Sequence, residues 1–372
     1  MASLKQLNIR AGVSQTGYGS VGYNALEQLT QNFGWDVYLK EIGTNERKNP
    51  REAELIYKSL TKPFFYDAPC LQIWHQFALE ETVGRGDHYA FVFFELDGFS
   101  KREIHHMNYA DRLIVSSQWA KDMCLKYGIK SENTIDVVPL GVNKNLINSE
   151  KIVQPRNPGP TTFLSSGKWE IRKGHDVLLE AFNKAFTKDD NVLLLKTGDN
   201  PYVAHVGDET QRWVKTYHTS PLGRAGKVKV LPWFNNQGDL HNLMSQVDCG
   251  VFLSRGEAWN LGLLEMMAMG KQIIATNNTG HTEFCDKYNS LLVETDLQEE
   301  AFDGMWFKPQ AHNPTWSGFT PENVDQVVEH MRYVHNAVQS PGDLLNEAAI
   351  DTASGLTWEN TFGLVDKILC RC

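Results

Sequence analysis

No stretch of this 372-residue chain approaches the ~18 consecutive apolar residues that a membrane-spanning helix needs. The opening Met-Ala-Ser-Leu-Lys-Gln lacks the apolar core of a secretory leader, so the expected location is cytoplasmic. The six cysteines (70, 124, 249, 285, 370 and 372) have no zinc-like spacing, and several fall in predicted strands or helices. They read as reduced thiols. The Cys370-Arg-Cys372 tail could be a metal or redox pair, but a frayed terminus is the simpler reading. Low-complexity tracts and heptad repeats are missing too. A net charge of −9, with no basic run, argues against a nucleic-acid or anionic-membrane surface. No strongly basic amphipathic helix speaks for membrane docking.

What is present is an alternation of strand-like and helix-like segments, the pattern of parallel α/β sheets. Strands are predicted at Leu7–Val13, Asp36–Ile42, Leu71–Trp74, Tyr89–Phe94, Arg112–Val115 and Thr134–Val138. Helices are predicted at Val21–Phe33, Arg51–Ser59, Lys101–Asn108 and Gln118–Tyr127. His105 and His106 then sit on a helix surface. Asn143 to Thr161, with Pro155, Pro158 and Pro160, reads as an interdomain linker. The alternation restarts with strands at Thr162–Ser165, Val192–Thr197, Lys227–Leu231, Cys249–Leu253 and Gln272–Ala275. Helices are placed among them at Asp176–Phe186, Gly238–Met244 and Leu261–Met269. The expected fold is α/β, two wound sheets with a cleft between them, and ligands bind at the carboxyl ends of such strands. The expected domains are 1–150, 151–354, and a terminal segment 355–372 that returns to the first domain.

The most informative segment is Ser254-Arg-Gly-Glu-Ala-Trp-Asn-Leu-Gly-Leu-Leu-Glu-Met-Met-Ala-Met-Gly270. It sets Glu257 and Glu265 across a loop-to-helix junction between two buried strands. The first amides of that helix, near Leu261 and Gly262, favour an anion. Glu265 can then reach a ribose hydroxyl and Glu257 a sugar hydroxyl. Two solvated surface acids are the plainer reading of such a pair taken alone.

The segment resembles the Glu-x7-Glu motif of retaining glycosyltransferases with the GT-B fold, in particular family 4 (glycosyl transferases group 1). The usual form is Glu-Gly-Phe-Gly-Leu-Pro-x-x-Glu-Ala-Met-Ala-x-Gly. Ala258, Trp259, Asn260 and Gly262 depart mildly from it. Ser165 to Phe182 resembles the family's Gly-Arg-x(4–5)-Lys-Gly element, with Lys168 where Arg is usual and Lys173 matching the Lys. Two cations at a strand end suit a diphosphate leaving group, whose charge grows as the glycosidic bond breaks. Lys is a point charge where Arg grips bidentately, and Arg172 could substitute. Gly198, after Leu194-Leu-Lys-Thr, resembles the glycine that approaches the nucleotide. Trp233, followed by Asp239-Leu240, lies in what resembles the base-binding loop. Leu356-Thr-Trp-Glu359 resembles the start of the final helix.

The resemblance implies two Rossmann-like domains facing a cleft and a hexosyltransferase-like enzyme. It takes a nucleotide-diphosphate sugar as co-substrate, without an essential metal or other cofactor. The acceptor hydroxyl stays open: glycan, lipid-linked glycan, small molecule, protein or modified DNA. Gly17-Tyr-Gly-Ser-Val-Gly22, with Glu41 about twenty residues on, is also a literal dinucleotide fingerprint. An NAD-dependent oxidoreductase is therefore the rival, and a non-catalytic nucleotide-sugar binder a third reading. In the family a glycine-rich loop here faces the donor phosphates, with Gly17 and Gly19 allowing close approach and Tyr18 or Ser20 adding a hydroxyl. A family His that contacts the donor sugar falls at Glu95 here, and His75 is the other candidate for that contact. Glu95-Leu-Asp97 also has the form of a metal-binding D-x-D.

Overall fold

The computed structural model describes residues 5–43, 49–147, 159–198, 207–234, 236–304, 307–308, 310–340 and 344–371. The chain forms two compact units, one made of residues up to 141 with 310–314 and 356 onward, the other of 142–309 and 315–355. Most of the Pro-rich stretch read as a linker, 148–158, lies outside the described residues, as does Cys372. The five described cysteines are free, and only Cys370 is exposed. No described helix is long and apolar enough to cross a membrane.

The first unit runs β1 (Lys5–Ala11), α1 (Gly17–Gln31), β2 (Trp35–Glu41), α2 (Pro50–Leu60), β3 (Cys70–Ile73) and β4 (His88–Phe91). It continues with α3 (Lys101–Tyr109), β5 (Arg112–Val115), α4 (Gln118–Lys126) and β6 (Ile135–Val137). All six strands are parallel, in the order β2-β1-β3-β4-β5-β6. The order reverses between β1 and β3, which makes their carboxyl ends the crevice of this sheet. Central strands such as β3 and β4 are buried at every residue, as a sheet covered on both faces requires.

Helix α1 starts four residues earlier than its apolar pattern suggests. Gly19 and Gly22 are required inside it, since a Cβ on Gly19 would stand 2.3 Å from the Ser14 carbonyl oxygen, and one on Gly22 2.0 Å from that of Gly12. Packing of helix onto strand overrides their poor helix propensity. Of the two histidines of α3, only His105 lies on the surface. His106 is turned inward, 3.5 Å from Glu80, which corrects the reading of both as surface residues.

The second unit runs β7 (Thr161–Ser166), α5 (His175–Ala185), β8 (Val192–Thr197), α6 (Gly207–Thr219), α7 (Pro221–Arg224) and β9 (Val228–Leu231). Next come α8 (Gln237–Gln246), β10 (Cys249–Phe252), α9 (Leu261–Ala268), β11 (Gln272–Thr276) and β12 (Leu291–Val293). A short antiparallel hairpin, β13 (Gln298–Glu300) and β14 (Thr315–Ser317), precedes α10 (Pro321–Gln339) and α11 (Glu347–Gly355). The main sheet is parallel, in the order β12-β11-β10-β7-β8-β9, and reverses between β10 and β7. Helix α10 lays Val324, Val327, Val328, Met331, Val334 and Val338 into the core beside Phe163 and Phe182. The last helix, α12 (Trp358–Leu369), belongs to the first unit. There Thr361 donates to the Pro139 carbonyl and Asp366 accepts from Trp35 Nε1.

Candidate active site

The reversal point of the second sheet collects most of the residues that the motifs single out. From β7 the chain passes through Gly167 and Lys168 to a turn of 3-10 helix, Ile171–Lys173, before α5. From β10 it passes through the 253–260 loop into α9. Backbone and side-chain bonds join the two loops. Arg255 N–H donates to the Arg172 carbonyl at 2.6 Å, Arg172 Nη1 to the Gly256 carbonyl at 2.7 Å, and Arg255 Nη1 to the Ile171 carbonyl at 2.7 Å. Gly174 permits the approach: it has φ +67°, and a Cβ there would lie 1.9 Å from the Leu253 carbonyl oxygen. Gly174→Ala is therefore expected to destabilise by about 1–3 kcal/mol or more through backbone strain. A thermal melt indistinguishable from wild type would contradict this close packing.

At the junction sits Glu257, buried, with three side-chain donors. Oε1 accepts from Lys173 Nζ at 2.5 Å and from Ser254 Oγ at 2.6 Å, and Oε2 accepts from Arg172 Nη1 at 3.2 Å. A carboxylate offers about four lone-pair sites, so roughly one remains for a ligand hydroxyl. Burial alone would raise its pKa, but Lys173, Arg172 and the hydrogen bonds together outweigh it and hold the carboxyl at about 2. Since the folded value lies below the ordinary 4.5, the stabilisation is full above pH 4.5 and disappears as pH falls towards 2. Melting temperature is expected to fall more steeply across that window in the wild type than in Glu257→Gln. Parallel curves would refute the linkage.

Arg172 departs from its expected place. Its side chain is 7% exposed and turned inward onto Glu170 Oε2 (2.9 Å), Glu257 and the Gly256 carbonyl, so it braces the carboxylate instead of standing in for Lys168 at a phosphate. Lys168 is more open, 44% exposed, and lies 3.4 Å from Glu170 Oε1. Lys173 is intermediate at 22%.

The entry to α9 also concentrates polar groups. Asn260 takes the left-handed conformation, φ +80°, at a position where the family form has Gly, and Asn tolerates it through its short polar side chain. Its Oδ1 accepts from Leu263 N–H, and its carbonyl accepts from Leu264 N–H, the first helical bond. Leu261 and Gly262 precede that bond, at the positive end of the helix. Asn260 Nδ2 and Trp259 Nε1 are buried without a hydrogen-bond partner among the described residues. Glu265, in the next turn of α9, lies 3.2 Å from His241 Nε2 of α8, an ion pair without hydrogen-bond alignment. Burial lowers the His241 pKa, but Glu265 outweighs it and raises it. Glu265→Ala is expected to weaken nucleotide-sugar binding about tenfold or more with a smaller change in kcat. An unchanged donor KM would remove Glu265 from the ribose role.

Gly198 follows β8 and lies against Gly167, where a Cβ would fall 1.7 Å from the Gly167 carbonyl oxygen. Its small size serves that backbone contact. Trp233 is half-buried in the loop after β9. Sequence reading missed His241, Thr279, whose Oγ1 accepts from Glu257 N–H at 2.9 Å, and Lys196. None of them carries a spacing signal of its own.

In the first unit three candidates converge near the β1/β3 reversal point. Tyr18 donates to the Phe93 carbonyl at 2.8 Å and packs on His75 at 4.4 Å between ring centroids, and His75 stacks on Phe77 at 5.0 Å. Burial, then the nearby Glu95 carboxylate, pushes the Tyr18 hydroxyl well above its ordinary value, so it stays protonated. Gly17 opens α1 with nothing within 4 Å of a Cβ, so a ligand backbone approach is unobstructed there, whereas Gly19 is occupied by its contact with Ser14. No three His, Cys, Asp or Glu residues are grouped to hold a metal ion among the described residues, Glu95 and Asp97 included.

Residues 160–305, which contain the Lys173–Glu257 cluster, match the family model described as Glycosyl transferases group 1. No curated protein matches the chain by sequence. The structure is similar to a glycosyltransferase from Rickettsia africae ESF-5, with 18% identity, TM-score 0.69 and 99% of each chain covered. It is similar to Anabaena HepE solved with UDP, with 16% identity, TM-score 0.66, and 99% and 100% coverage. It is also similar to a UDP-forming alpha,alpha-trehalose-phosphate synthase from Burkholderia xenovorans, with 10% identity, TM-score 0.68, and 98% and 100% coverage. At these identities the likeness shows the fold, the two-domain α/β GT-B architecture of glycosyltransferases.

Proposed function

We propose that the chain is a retaining glycosyltransferase of the family 4 type, moving a sugar from a nucleotide-diphosphate sugar to an acceptor hydroxyl. The observation that carries this is the Lys173–Glu257–Arg172 cluster at the reversal point of the second sheet. There two loops are locked together so that one half-buried cation meets the ligand crevice. Lys173, with Lys168 beside it, neutralises the diphosphate as the bond from the anomeric carbon to the phosphate oxygen breaks. Asn260 Nδ2, buried without a partner, supports a donor contact at the start of α9, and Glu265 reads the ribose. The leaving diphosphate takes the acceptor proton, so the protein contributes positioning and charge and needs no metal in this reading. Tyr18, His75 and Glu95 are the first unit's own candidates for a sugar or acceptor contact.

HepE was solved with UDP and with UDP-glucose, which supports uridine nucleotides as the first donors to try. A thermal-shift panel of UDP-, GDP-, ADP- and CMP-sugars tests the class, since a ligand at about a hundred times its Kd stabilises by about 2.7 kcal/mol. One nucleotide sugar standing out is the expected result. Product formation then separates transfer from mere binding, and the anomeric proton coupling of the product separates retention from inversion. One observation favours the rival dinucleotide reading: Glu41 closes β2 with Oε1 buried and without a partner among the described residues. A shift with NAD or NADP alone would make that reading the correct one.

A further inference from the structure

Lys196, near the end of β8, is an oddity by burial. It is 1% exposed, and its Nζ donates to the carbonyls of Gly167 at 2.7 Å and Thr197 at 2.9 Å and lies 4.5 Å from the centre of the Trp169 ring. All three contacts are neutral. Buried lysines are ordinarily paired with an acid, because an uncompensated ammonium in a low-dielectric interior costs several kcal/mol. Among the described residues no carboxylate pairs with Lys196, and Asp199 lies outside them. The charged groups that face it are cations or bases. Lys173 approaches from the turn after β7. His175 approaches from α5 and is neutral, its pKa pushed down to about 3 mainly by burial.

The geometry ties Lys196 to the site described above. Gly167 lies between the two lysines: the Lys173 Cδ is 3.6 Å from where a Gly167 Cβ would stand, and Lys196 Nζ holds the Gly167 carbonyl. Lys168 follows directly in the chain. Two ammonium groups, those of Lys173 and Lys196, thus flank one short loop at the sheet's reversal point, with Glu257 taken up by Lys173 and Arg172, while Lys168 stands more open beside Glu170. Like charges in one buried place are costly unless one gives up its proton or an anion arrives. Burial, and then Lys173, bring the Lys196 ammonium down to about 7, so in the empty protein it is part-protonated at neutral pH.

We propose that Lys196 is a third, hidden cation of the diphosphate site, which takes up a proton when a nucleotide-diphosphate sugar binds. The proposal rests on the donor-site reading above. The arriving anion compensates the buried charge through a low-dielectric floor, without Lys196 needing to touch it. One proton enters from solvent for each Lys196 that was neutral, and no bond is made or broken. Donor affinity must then weaken as pH rises, because the energy of protonating Lys196 is charged against binding. If Lys196 were only a staple between the Gly167 and Thr197 carbonyls, it would hold the loops at any pH and move no proton.

Calorimetric titration with UDP-glucose, ADP-glucose and GDP-glucose at pH 7.5, in two buffers of different ionisation enthalpy, reads the proton directly. The diphosphate diester has no group titrating near neutrality, so uptake belongs to the protein. The expected result is uptake of a sizeable fraction of a proton and an affinity about fourfold weaker at pH 8.5 than at pH 7, for about one unit of linked pKa shift. Lys196→Arg, always charged, is expected to bind with no uptake and a flat pH profile. Lys196→Met is expected to bind about tenfold more weakly, again without uptake. Binding by the wild type with no measurable uptake overturns the proposal and leaves the donor-site reading intact. Uptake that persists in Lys196→Arg overturns it too, with His241 the group to examine next. Binding of none of the three sugars overturns the donor-site reading and this inference together.

Discussion

Replacing Lys173 by alanine is expected to lower kcat by about two to three orders of magnitude while the fold stands. The ammonium sits beyond the carboxyl end of β7, where in the proposed reaction charge develops on a departing diphosphate, and a positioned cation there acts more strongly on the transition state than on the ground state. The fold survives because Glu257 keeps Arg172 Nη1 at 3.2 Å and Ser254 Oγ at 2.6 Å, so its carboxylate remains compensated. Lys173→Arg keeps the charge and should recover part of the rate. Release of nucleoside diphosphate under saturating donor, alongside a thermal melt, checks both halves. Turnover within about twofold of wild type would place the phosphate elsewhere, since a lost charge contact at that point costs far more.

Glu257→Ala is the more damaging change, and it acts on stability as well as rate. Removing the carboxylate leaves Arg172, 7% exposed, and Lys173, 22% exposed, as neighbouring cations with Glu170 as the remaining acid of the cluster. Breaking a buried ion pair from one side typically costs about 3–5 kcal/mol. For a unit of this size that is a fall of roughly 6–20 °C in its melting temperature. Glu257→Gln keeps the shape and one acceptor, so its melt should lie between the two. A Glu257→Ala protein that melts like the wild type would show that the cluster does not hold the two loops together. One that folds and turns over at full rate would end the role of Glu257 at the donor sugar.

Much of this was legible from the chain. The parallel α/β alternation could be read because fully buried strands are short apolar runs between helical periods, and Arg112–Val115 and Val192–Thr197 coincide with β5 and β8. Helix α10 carried an equally clear period in Val324, Val327, Val328, Met331, Val334 and Val338, behind a Thr-Pro start. It went unread because it follows the motifs and belongs to none of them. The hairpin of β13 and β14 has only three residues in each strand, too few for a period to form.

The sequence by itself determined the fold class and the positions of Glu257, Glu265 and Lys173. Those depend on local order: which strand ends in which loop, and which residue opens which helix. Only the tertiary structure decided what each charge faces. Arg172 and Lys173 are neighbours in sequence and both bond Glu257, yet Arg172 does so from inside at 7% exposure while Lys173 stays 22% open. Gly17 and Gly19 are two apart, and only Gly17 is open to a ligand. Lys196 reads as a polar residue at a strand end, yet it is buried because Gly167, brought to it by β7 lying beside β8, covers it. Charge and burial are properties of neighbours distant in the chain, and they are set when the sheet assembles.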